Sequence, residues 1–462
     1  MSQQLERKYG LFTAICMVVG IVIGSGVFFK AQTILERTGG DMPLGIIAWV
    51  VGGIIMMVNL LTFSFMGQKY EKVNGVVDYA EATCGKRYGY LMGWFVGIIY
   101  FPAMASVLCW LTARYTLEFL VSVNPNLSIN PIVGPECIAL SLFFMLLAFV
   151  INVLSPKLAG KFQTSTTVIK LIPLGLMAVV GIIYGLATGM LTQNFETKAV
   201  VDDISANPLF AAICSTAFAY EGWIIATSIN AEIKNSKKNL PRALIMGGII
   251  IAAVYIFYYV GVAGGATNQD LIDQGAPIAF TNIFGSALGN LLKLFIAISC
   301  YGTTNGLMLA TCRGMYSLAA RGEGPKPAFF GRLNAKTNMP IASSFVGLAL
   351  ILGWFCYFYP SNLLEAWQGP FVFDSSELPI ITIYLMYLPI LIQWMRKEKE
   401  QSVLRRFVLP ILALCGSVFM VIASVFSHGW GCLWYLIVFA VMMAIGILLN
   451  RRNIHAVKDA TA

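Results

Sequence analysis

The sequence predicts an all-helical integral membrane protein, and three observations support this fold class. Hydrophobic residues occupy 58% of the 462 positions. Charged residues account for only 11%, against roughly 25% in an ordinary soluble domain, so the chain cannot cover a soluble globule of its size with polar surface. The apolar residues also form runs long enough to cross a bilayer, which takes about 20 residues per helix. Together these features predict roughly twelve membrane-spanning helices.

Apolar runs bounded by charged residues locate the twelve predicted spans. They lie near residues 11–37 (interrupted), 43–67, 89–121, 133–154, 160–187, 208–233, 241–265, 287–320, 340–359, 371–394, 403–425 and 430–450. No hydrophilic stretch between the spans is long enough for a separate soluble domain. We therefore expect one membrane domain with three parts: residues 1–200 with spans one to five, residues 201–396 with spans six to ten, and residues 397–462 with the last two spans and a tail.

Basic residues predict which ends of the spans face the cytoplasm. With the N-terminus inside, the inside segments hold 25 of the 31 Lys and Arg residues, as the positive-inside rule requires. Arg7 and Lys8 precede an apolar run longer than a signal-peptide core, so we expect this run to stay as the first span. The sequence therefore predicts a multi-pass protein of the cell membrane with both termini in the cytoplasm. Because the net charge of +9 is spread over short loops, we expect lipid contact and no nucleic-acid partner.

Cysteine and histidine patterns predict no metal site, no cofactor and no catalytic centre. The ten cysteines are scattered singly without a CxxC pair, and the two histidines, His428 and His455, fall in a short outer loop and in the tail. No HExxH motif and no paired carboxylates occupy one helix. These features argue against the alternative of a membrane-embedded acyl or glycosyl transferase.

The first span carries residues that weaken a helix near its middle. Residues 20–28 read GIVIGSGVF. Gly20 and Gly24 alone would suit close helix packing. With Ser25 and Gly26 added, the segment favours an unwound stretch, after which the N–H groups of the next half-helix face an anion.

The sixth span carries a second interruption, where residues 218–223 read FAYEGW. A carboxylate in hydrocarbon is energetically costly, so Glu221 is expected to line a cavity, pair with another group or carry a proton. The alternative is a structural carboxylate that hydrogen-bonds to the backbone or to a neighbouring helix. Interruptions at equivalent places in two five-span halves predict a midplane binding site in an inverted-repeat transporter. A site of half-helix N–H groups and free carbonyls suits a zwitterion such as an α-amino acid. A channel, the third class considered, would need rings of charges or carbonyls.

The motifs resemble those of the amino acid, polyamine and organocation (APC) transporter superfamily, and within it the bacterial relatives of L-type amino acid exchangers. The resemblance rests on GSGVF at 24–28, TGG at 38–40, FAYEGW at 218–223 and EIKNSKKNLP at 232–241, and it covers roughly residues 9–450. It implies a fold of two inverted five-helix repeats, with helices one and six broken, plus two extra C-terminal helices.

The resemblance also implies a set of site residues. Backbone N–H groups around Ser25 and Gly26 would hold the substrate carboxylate, and carbonyls near Val22, Phe218 and Glu221 would hold its amine. The full expected substrate site is Val22, Ile23, Gly24, Ser25, Gly26, Val27, Phe218, Ala219 and Glu221. Phe218 matches the aromatic gate of the family, and Tyr255 is either a second gating residue or a packing residue.

Lys170 lies ten residues into the apolar run that begins near Gly160. It either snorkels to an interface or, as the resemblance implies, places its ammonium where sodium-coupled relatives of the fold hold a sodium ion. In that position it would bridge the broken first helix and the eighth, where Ser299 and Thr303 are the candidate partners. The resemblance therefore implies sodium-independent transport.

The leading functional hypothesis is a sodium-independent exchanger of small neutral L-amino acids, of the Ala, Ser, Thr or Cys type, working by alternating access. The small size is expected because Ile21, Ile23, Phe218 and Trp223 are bulky. The alternative within transport is proton-coupled symport that uses Glu221. Residues 124–134 contain no cysteine for a disulfide, so we expect no heavy-chain accessory subunit.

Two other pairs of charged residues are given simpler interpretations. Arg114 and Glu118, four residues apart, are predicted to pair on one helix face. Asp374 and Glu377 open the tenth span, where they either cap the helix or belong to an outer gate.

Overall fold

The computed structural model describes residues 10–24, 26–70, 75–201, 207–227, 233–364 and 369–461. Every regular element within these ranges is helical. Eleven helices are long and apolar enough to cross a membrane, and the number is twelve when the bent helix pair at the start of the chain is counted as one span. The all-helical membrane fold class is therefore confirmed.

The spans follow one another in the predicted order. Their bounds are Leu11–Val22 with Gly26–Arg37, Met42–Lys69, Lys86–Val123, Pro135–Leu154, Leu158–Thr188, Pro208–Ile225, Ser236–Ala263, Ser286–Ala319, Ile341–Leu363, Leu378–Lys397, Leu404–His428 and Trp430–Asn450. Short helices Val76–Cys84, Asn268–Gln274 and Ala276–Phe284 lie in the connections. We call the end of the bundle at Arg37 the outer end and the opposite end the inner end, following the predicted orientation.

The tenth span begins later than predicted. The sequence places its start near residue 371, whereas the helix begins at Leu378. The reason is a turn at Asp374, whose Oδ1 accepts hydrogen bonds from the backbone N–H groups of Ser376 (2.7 Å) and Glu377 (3.0 Å). Phe371 also has a positive φ of 69°, which is incompatible with helix.

Within the described ranges, four spans contain a wider π-helical turn. The turns are Val96–Tyr100, Met177–Gly181, Tyr359–Leu363 and Leu404–Val408. A proline lies inside or within four residues of each turn, and proline removes the hydrogen bond that an α-helix needs at that position. In the third span, Pro102 cannot donate to the carbonyl of Ile98, and the indole N–H of Trp354 in the ninth span donates to that carbonyl instead, at 3.1 Å.

The two broken spans occupy the centre of the bundle. The first half of span one packs against spans five and seven, and its second half packs against the first half of span six. Spans three and eight lie beside the broken spans and pack against each other along more of their length than any other described pair of helices. Large apolar side chains on the outside of the bundle are exposed, among them Phe143, Leu146 and Val150 of span four, as expected for helices that face lipid.

Candidate functional site

The break in the first span depends on glycines. Its first half-helix ends at Val22, the second begins at Gly26, and the two differ in direction by 41°. A Cβ at Gly26 would lie 2.5 Å from Cα of Ala219, and one at Gly24 would lie 2.8 Å from the Thr303 hydroxyl. The glycines therefore allow the unwound stretch to approach spans six and eight. Ser25, predicted to take part in carboxylate binding, lies outside the described residues.

The break in the sixth span faces the break in the first. Helix Pro208–Tyr220 ends, Glu221 is extended, and Gly222 has a φ of +107° before the short helix Trp223–Ala226 begins. This left-handed conformation strongly favours glycine. A Cβ at Gly222 would lie 3.1 Å from Cγ2 of Ile21, so the two breaks are in direct contact.

Tyr255 touches both breaks. Its hydroxyl lies 3.0 Å from the Val22 carbonyl and 3.0 Å from the Ala219 carbonyl, and its ring is buried among Trp49 and Tyr220. Both carbonyls belong to the last turns of half-helices, where no intrahelical N–H partner exists. Tyr255 thus links the ends of the two half-helices.

Lys170 also satisfies a carbonyl of the first half-helix. Its Nζ donates to the carbonyl of Gly20 at 2.5 Å, and the side chain is fully buried. The snorkelling interpretation is therefore wrong, because the ammonium points into the bundle. Burial of an ammonium is costly unless a polar partner accepts its protons, and Gly20 provides one.

The eighth span reaches the first span separately. Ser299 Oγ donates to the Gly24 carbonyl at 3.1 Å, and Thr303 Oγ1 donates to the Ser299 carbonyl at 3.3 Å while lying against Gly24. Among the described residues, no hydrogen bond joins Lys170 to either hydroxyl. The expected bridge between spans five, one and eight therefore runs through the backbone of span one.

Glu221 lies beside Tyr100, a residue that was not predicted to belong to the site. The hydroxyl of Tyr100 donates to Glu221 Oε1 at 2.5 Å. The other carboxylate oxygen, Oε2, is buried and has no hydrogen-bond partner among the described residues. Buried carboxylate oxygens are normally hydrogen-bonded, so this one is an acceptor available to a ligand or a proton.

A small cavity of about 30 Å³ lies between the breaks. Its polar wall includes Glu221, Tyr100 and Thr303, and the rest of its lining is Ile21, Val22, Gly24, Gly26, Met104, Leu108, Phe218, Gly222, Ile225 and Leu307. Of the predicted substrate residues, Val22, Gly24, Gly26, Phe218 and Glu221 line it, whereas Ile23, Val27 and Ala219 do not.

Trp223 was expected to narrow this cavity, and that expectation is wrong. The turn at Gly222 directs its ring towards Phe63 and Tyr387, away from the cavity lining. The third span supplies the missing wall through Tyr100, Met104 and Leu108. Only Pro102, next to the π-helical turn that holds Tyr100, hinted at this from sequence.

A cluster of charged groups lies above Phe218 at the outer end. The Nζ of Lys30 is 5.3 Å from the centre of the Phe218 ring and 2.5 Å from Oε1 of Glu377. Arg37 lies 3.4 Å and His428 Nε2 lies 3.0 Å from Oε2 of the same carboxylate. Glu377, at the start of span ten, thus contacts the second half of span one and the end of span eleven. These contacts favour the gate alternative over the cap. Lys30, a lysine inside a span, was a signal that the sequence analysis did not use.

A second set of ion pairs lies at the inner end. Arg321 at the end of span eight forms ion pairs with Asp78 and Glu81 of the short helix Val76–Cys84. Lys69 and Tyr70 at the end of span two both donate to Glu398, which follows span ten. These contacts join the end of span eight to the connecting helix, and the end of span two to the residue that follows span ten.

The predicted pair on span three is confirmed. Arg114 Nε lies 2.6 Å from Glu118 Oε1, and both side chains are largely buried. The guanidinium also lies over the rings of Phe29, Trp110 and Tyr115.

All ten cysteines are free thiols in the structure.

The fold and the facing helix breaks define a multi-pass membrane transport protein with a central cavity between the breaks. The family model described as amino acid permease matches residues 9–448. The chain therefore belongs to the amino acid permease family, whose members are transporters and not enzymes.

Relatives with known activities agree with this membership. The chain is 32% identical over 445 residues to the serine/threonine exchanger SteT of Bacillus subtilis (strain 168), covering 93% of each chain. It is 26% identical to the human b(0,+)-type amino acid transporter 1, covering 92% of this chain and 84% of the relative. It is 24% identical to the large neutral amino acids transporter small subunit 2 of Mus musculus, covering 93% and 78%.

Proposed function

We propose that this protein exchanges small neutral L-amino acids, serine and threonine among them, across the cell membrane without sodium. The observation that carries the proposal is the pair of helix breaks in contact around one cavity that Glu221 lines. The name of the Bacillus relative as a serine/threonine exchanger supports the substrate class and the exchange mode. The proposal includes both termini in the cytoplasm and no accessory heavy chain.

The two charges of an amino acid find complementary groups at the breaks. The helix Gly26–Arg37 begins at the cavity, and its first N–H groups are free to bind a carboxylate. Of the last four carbonyls of the preceding half-helix, those of Val19, Gly20 and Val22 already accept hydrogen bonds. In the proposal, the substrate ammonium binds at the remaining carbonyl, that of Ile21, and at Glu221 Oε2.

The cavity size supports a small substrate. A volume of about 30 Å³ holds about two water molecules at roughly 10–15 Å³ each. An amino acid the size of serine therefore requires a modest outward movement of Phe218 or Ile225, whereas a large aromatic substrate requires a rearrangement of the wall. We assign this movement to alternating access between the repeats at residues 1–200 and 201–396.

Sodium independence is supported by Lys170. Its ammonium already supplies a positive charge against the Gly20 carbonyl at 2.5 Å. A sodium ion beside the same carbonyl would be repelled by this charge at close range. In the proposal, the fixed ammonium takes the structural place of a coupling ion.

Uptake of radiolabelled serine into sodium-free proteoliposomes tests the proposal. Vesicles preloaded with unlabelled serine or alanine are compared with empty vesicles and with vesicles preloaded with arginine. We expect uptake only with internal serine or alanine, and no change when sodium is added. Equal uptake into empty vesicles would contradict exchange, and a requirement for sodium would contradict the role of Lys170.

Proton-coupled symport is the second candidate, and the unpartnered Oε2 of Glu221 supports it. A buried oxygen without a partner is stabilised when the carboxyl takes up a proton. Symport predicts that an inward proton gradient drives serine into empty vesicles and that Glu221→Gln abolishes this drive. Exchange in preloaded vesicles without any effect of the gradient would exclude it.

A further inference from the structure

Three metal-ligating side chains meet at the outer end, away from the central cavity. They are Cys214 of span six, Glu377 at the start of span ten and His428 at the end of span eleven. Cys214 and Glu377 are fully buried, and the side chain of His428 is 10% exposed. The sequence predicts no metal site here, because 163 residues separate Cys214 from Glu377 and 51 separate Glu377 from His428.

The three donor atoms form a small triangle with one short and two equal edges. Glu377 Oε2 lies 3.0 Å from His428 Nε2 and 3.9 Å from Cys214 Sγ, and Cys214 Sγ lies 3.9 Å from His428 Nε2. Zinc bond lengths of about 2.3 Å to sulfur and 2.0–2.1 Å to nitrogen or oxygen give tetrahedral edges of roughly 3.3–3.6 Å. Each edge of the triangle therefore needs to change by about 0.4 Å or less.

We propose that Cys214, Glu377 and His428 bind a transition-metal ion, for which Zn²⁺ is the best match. One thiolate, one imidazole and one carboxylate are the ligand types that zinc prefers, and a fourth position is left for water. Binding forms Zn–S, Zn–N and Zn–O bonds without a change of oxidation state. The Cys214 proton is released to solvent.

The neighbouring cations determine how tight such a site can be. Lys30 and Ser215 bind Oε1 of Glu377, so Oε2 faces Cys214 and His428. Arg37 lies 3.4 Å from Oε2, but its side chain is 26% exposed and it also donates to the Ala211 carbonyl at 3.1 Å. Arg37 can therefore withdraw when a metal binds. Because Lys30 remains, we expect micromolar affinity and not the tighter affinity of a closed structural zinc site.

A metal at this place would hold three spans together. Cys214 lies one helical turn before Phe218 in the helix Pro208–Tyr220, so the metal would fix the first half of span six to spans ten and eleven. The outer cluster must separate for the central cavity to open outward. Zinc in the external medium is therefore expected to inhibit transport, a consequence that rests on the proposed function, whereas binding itself does not.

Metal binding is tested on the full-length protein purified in detergent. Equilibrium dialysis with ⁶⁵Zn²⁺ measures affinity and stoichiometry for the wild type, Cys214→Ser and His428→Gln. Cys432→Ser and His455→Gln are the matched controls, because they remove the same donor types elsewhere in the chain. We expect one ion per chain bound with micromolar affinity, a loss of at least tenfold in affinity in the two cluster variants, and no change in the controls.

Cobalt provides a second measurement that does not depend on activity. A thiolate-to-cobalt charge-transfer band should appear when Co²⁺ is added to the wild type and be absent in Cys214→Ser. Size-exclusion profiles and thermal melting show whether each variant is folded. Equal zinc affinity in wild type and both cluster variants would overturn the proposal, as would a cobalt band that persists without Cys214.

Serine exchange in proteoliposomes tests the consequence for transport. External Zn²⁺ should inhibit the wild type, and the inhibition constant should rise at least tenfold in His428→Gln, with each variant compared with its own zinc-free rate. Zinc binding without inhibition would support the metal site but contradict the claim that the three ligands must separate when the cavity opens outward. Failure of the proposed function appears differently, as absence of exchange in the zinc-free wild type.

Discussion

The hydroxyl of Tyr100 donates to Oε1 of Glu221 at 2.5 Å, and this hydrogen bond joins span three to the break in span six. It is the one hydrogen bond that a described side chain makes to this carboxyl group, whose other oxygen has no partner within the part of the chain that the structure describes. Tyr100 therefore positions Glu221 at the cavity wall. A carboxyl group held by one partner remains free to interact with a ligand through the other oxygen.

Removal of this hydroxyl should weaken substrate binding without unfolding the protein. In Tyr100→Phe, Glu221 loses its only described side-chain donor, a loss of about 1–3 kcal/mol for a buried charged acceptor. We expect the KM for serine to rise about tenfold or more, with a smaller change in the maximal rate. Tyr90→Phe is the matched control, because its hydroxyl donates to Gly446 in span twelve, far from the cavity. An unchanged KM would show that Tyr100 does not position Glu221.

Lys170 should be required for exchange and not for folding. Lys170→Ala removes the donor to the Gly20 carbonyl, so the end of the first half-helix loses its link to span five. We expect serine exchange in proteoliposomes to fall at least tenfold at equal protein incorporation. Lys161→Ala, an exposed lysine on the same helix, should keep wild-type exchange. Wild-type rates in Lys170→Ala would remove the basis for sodium independence.

Much of the architecture was predictable from sequence because a bilayer imposes simple rules. Apolar runs had to be helices of membrane length, so the spans were placed within a few residues. The exceptions are the start of the tenth span and the end of the sixth, where the described helix ends at Ala226 and not near residue 233. Gly24, Gly26 and Gly222 could be recognised because glycines beside polar residues are unusual in the middle of a span. Each of these features depends on a short stretch of neighbouring residues, so it can be predicted from the sequence alone.

The contacts that complete the site were not predictable, because they join distant segments. Nothing near Tyr100 in the sequence indicates that it meets Glu221, 121 residues away. The partner of Lys170 was also missed, since backbone carbonyls carry no sequence signature and Gly20 is distinguished only by being in the last turn of a broken helix. Lys30 could be recognised from the sequence as a charged residue within a span. Its partner Glu377 could not be predicted, because it lies 347 residues away.

The buried pair of Lys30 and Glu377 should stabilise the closed outer end. Lys30→Met leaves Glu377 beside Arg37, His428 and the Cys214 thiol. We expect a loss of about 2–4 kcal/mol, since removal of one partner of a buried pair is costly. The melting temperature should fall, and Cys214 should react faster with a membrane-impermeant thiol reagent. The pair of Lys198 and Asp41 is the control, because Lys198 is 70% exposed and Lys198→Met should cost less than 1 kcal/mol.

A double variant separates the pair from its surroundings. Lys30→Met with Glu377→Gln removes both charges, so its stability should exceed that of Lys30→Met alone. Arg37 then lacks its carboxylate but retains the Ala211 carbonyl as an acceptor. If the double variant loses as much stability as Lys30→Met and Glu377→Gln lose together, the two charges are not coupled, and Glu377 stabilises the outer end mainly through Arg37.

The turn at Gly222 should tolerate no side chain. Its φ of +107° lies where residues with a Cβ are strained by roughly 1–2 kcal/mol, and a Cβ there would also lie 3.1 Å from Ile21. Gly222→Ala should therefore move Glu221 or Ile21 at the cavity wall and reduce serine exchange at least tenfold, with a smaller effect on the melting temperature. Gly353→Ala is the control, since Gly353 lies in a regular helix with open space around it and should keep wild-type exchange. Normal exchange in Gly222→Ala would show that the wall at Ile21 and Glu221 adjusts freely, and the cavity geometry would then not determine substrate size.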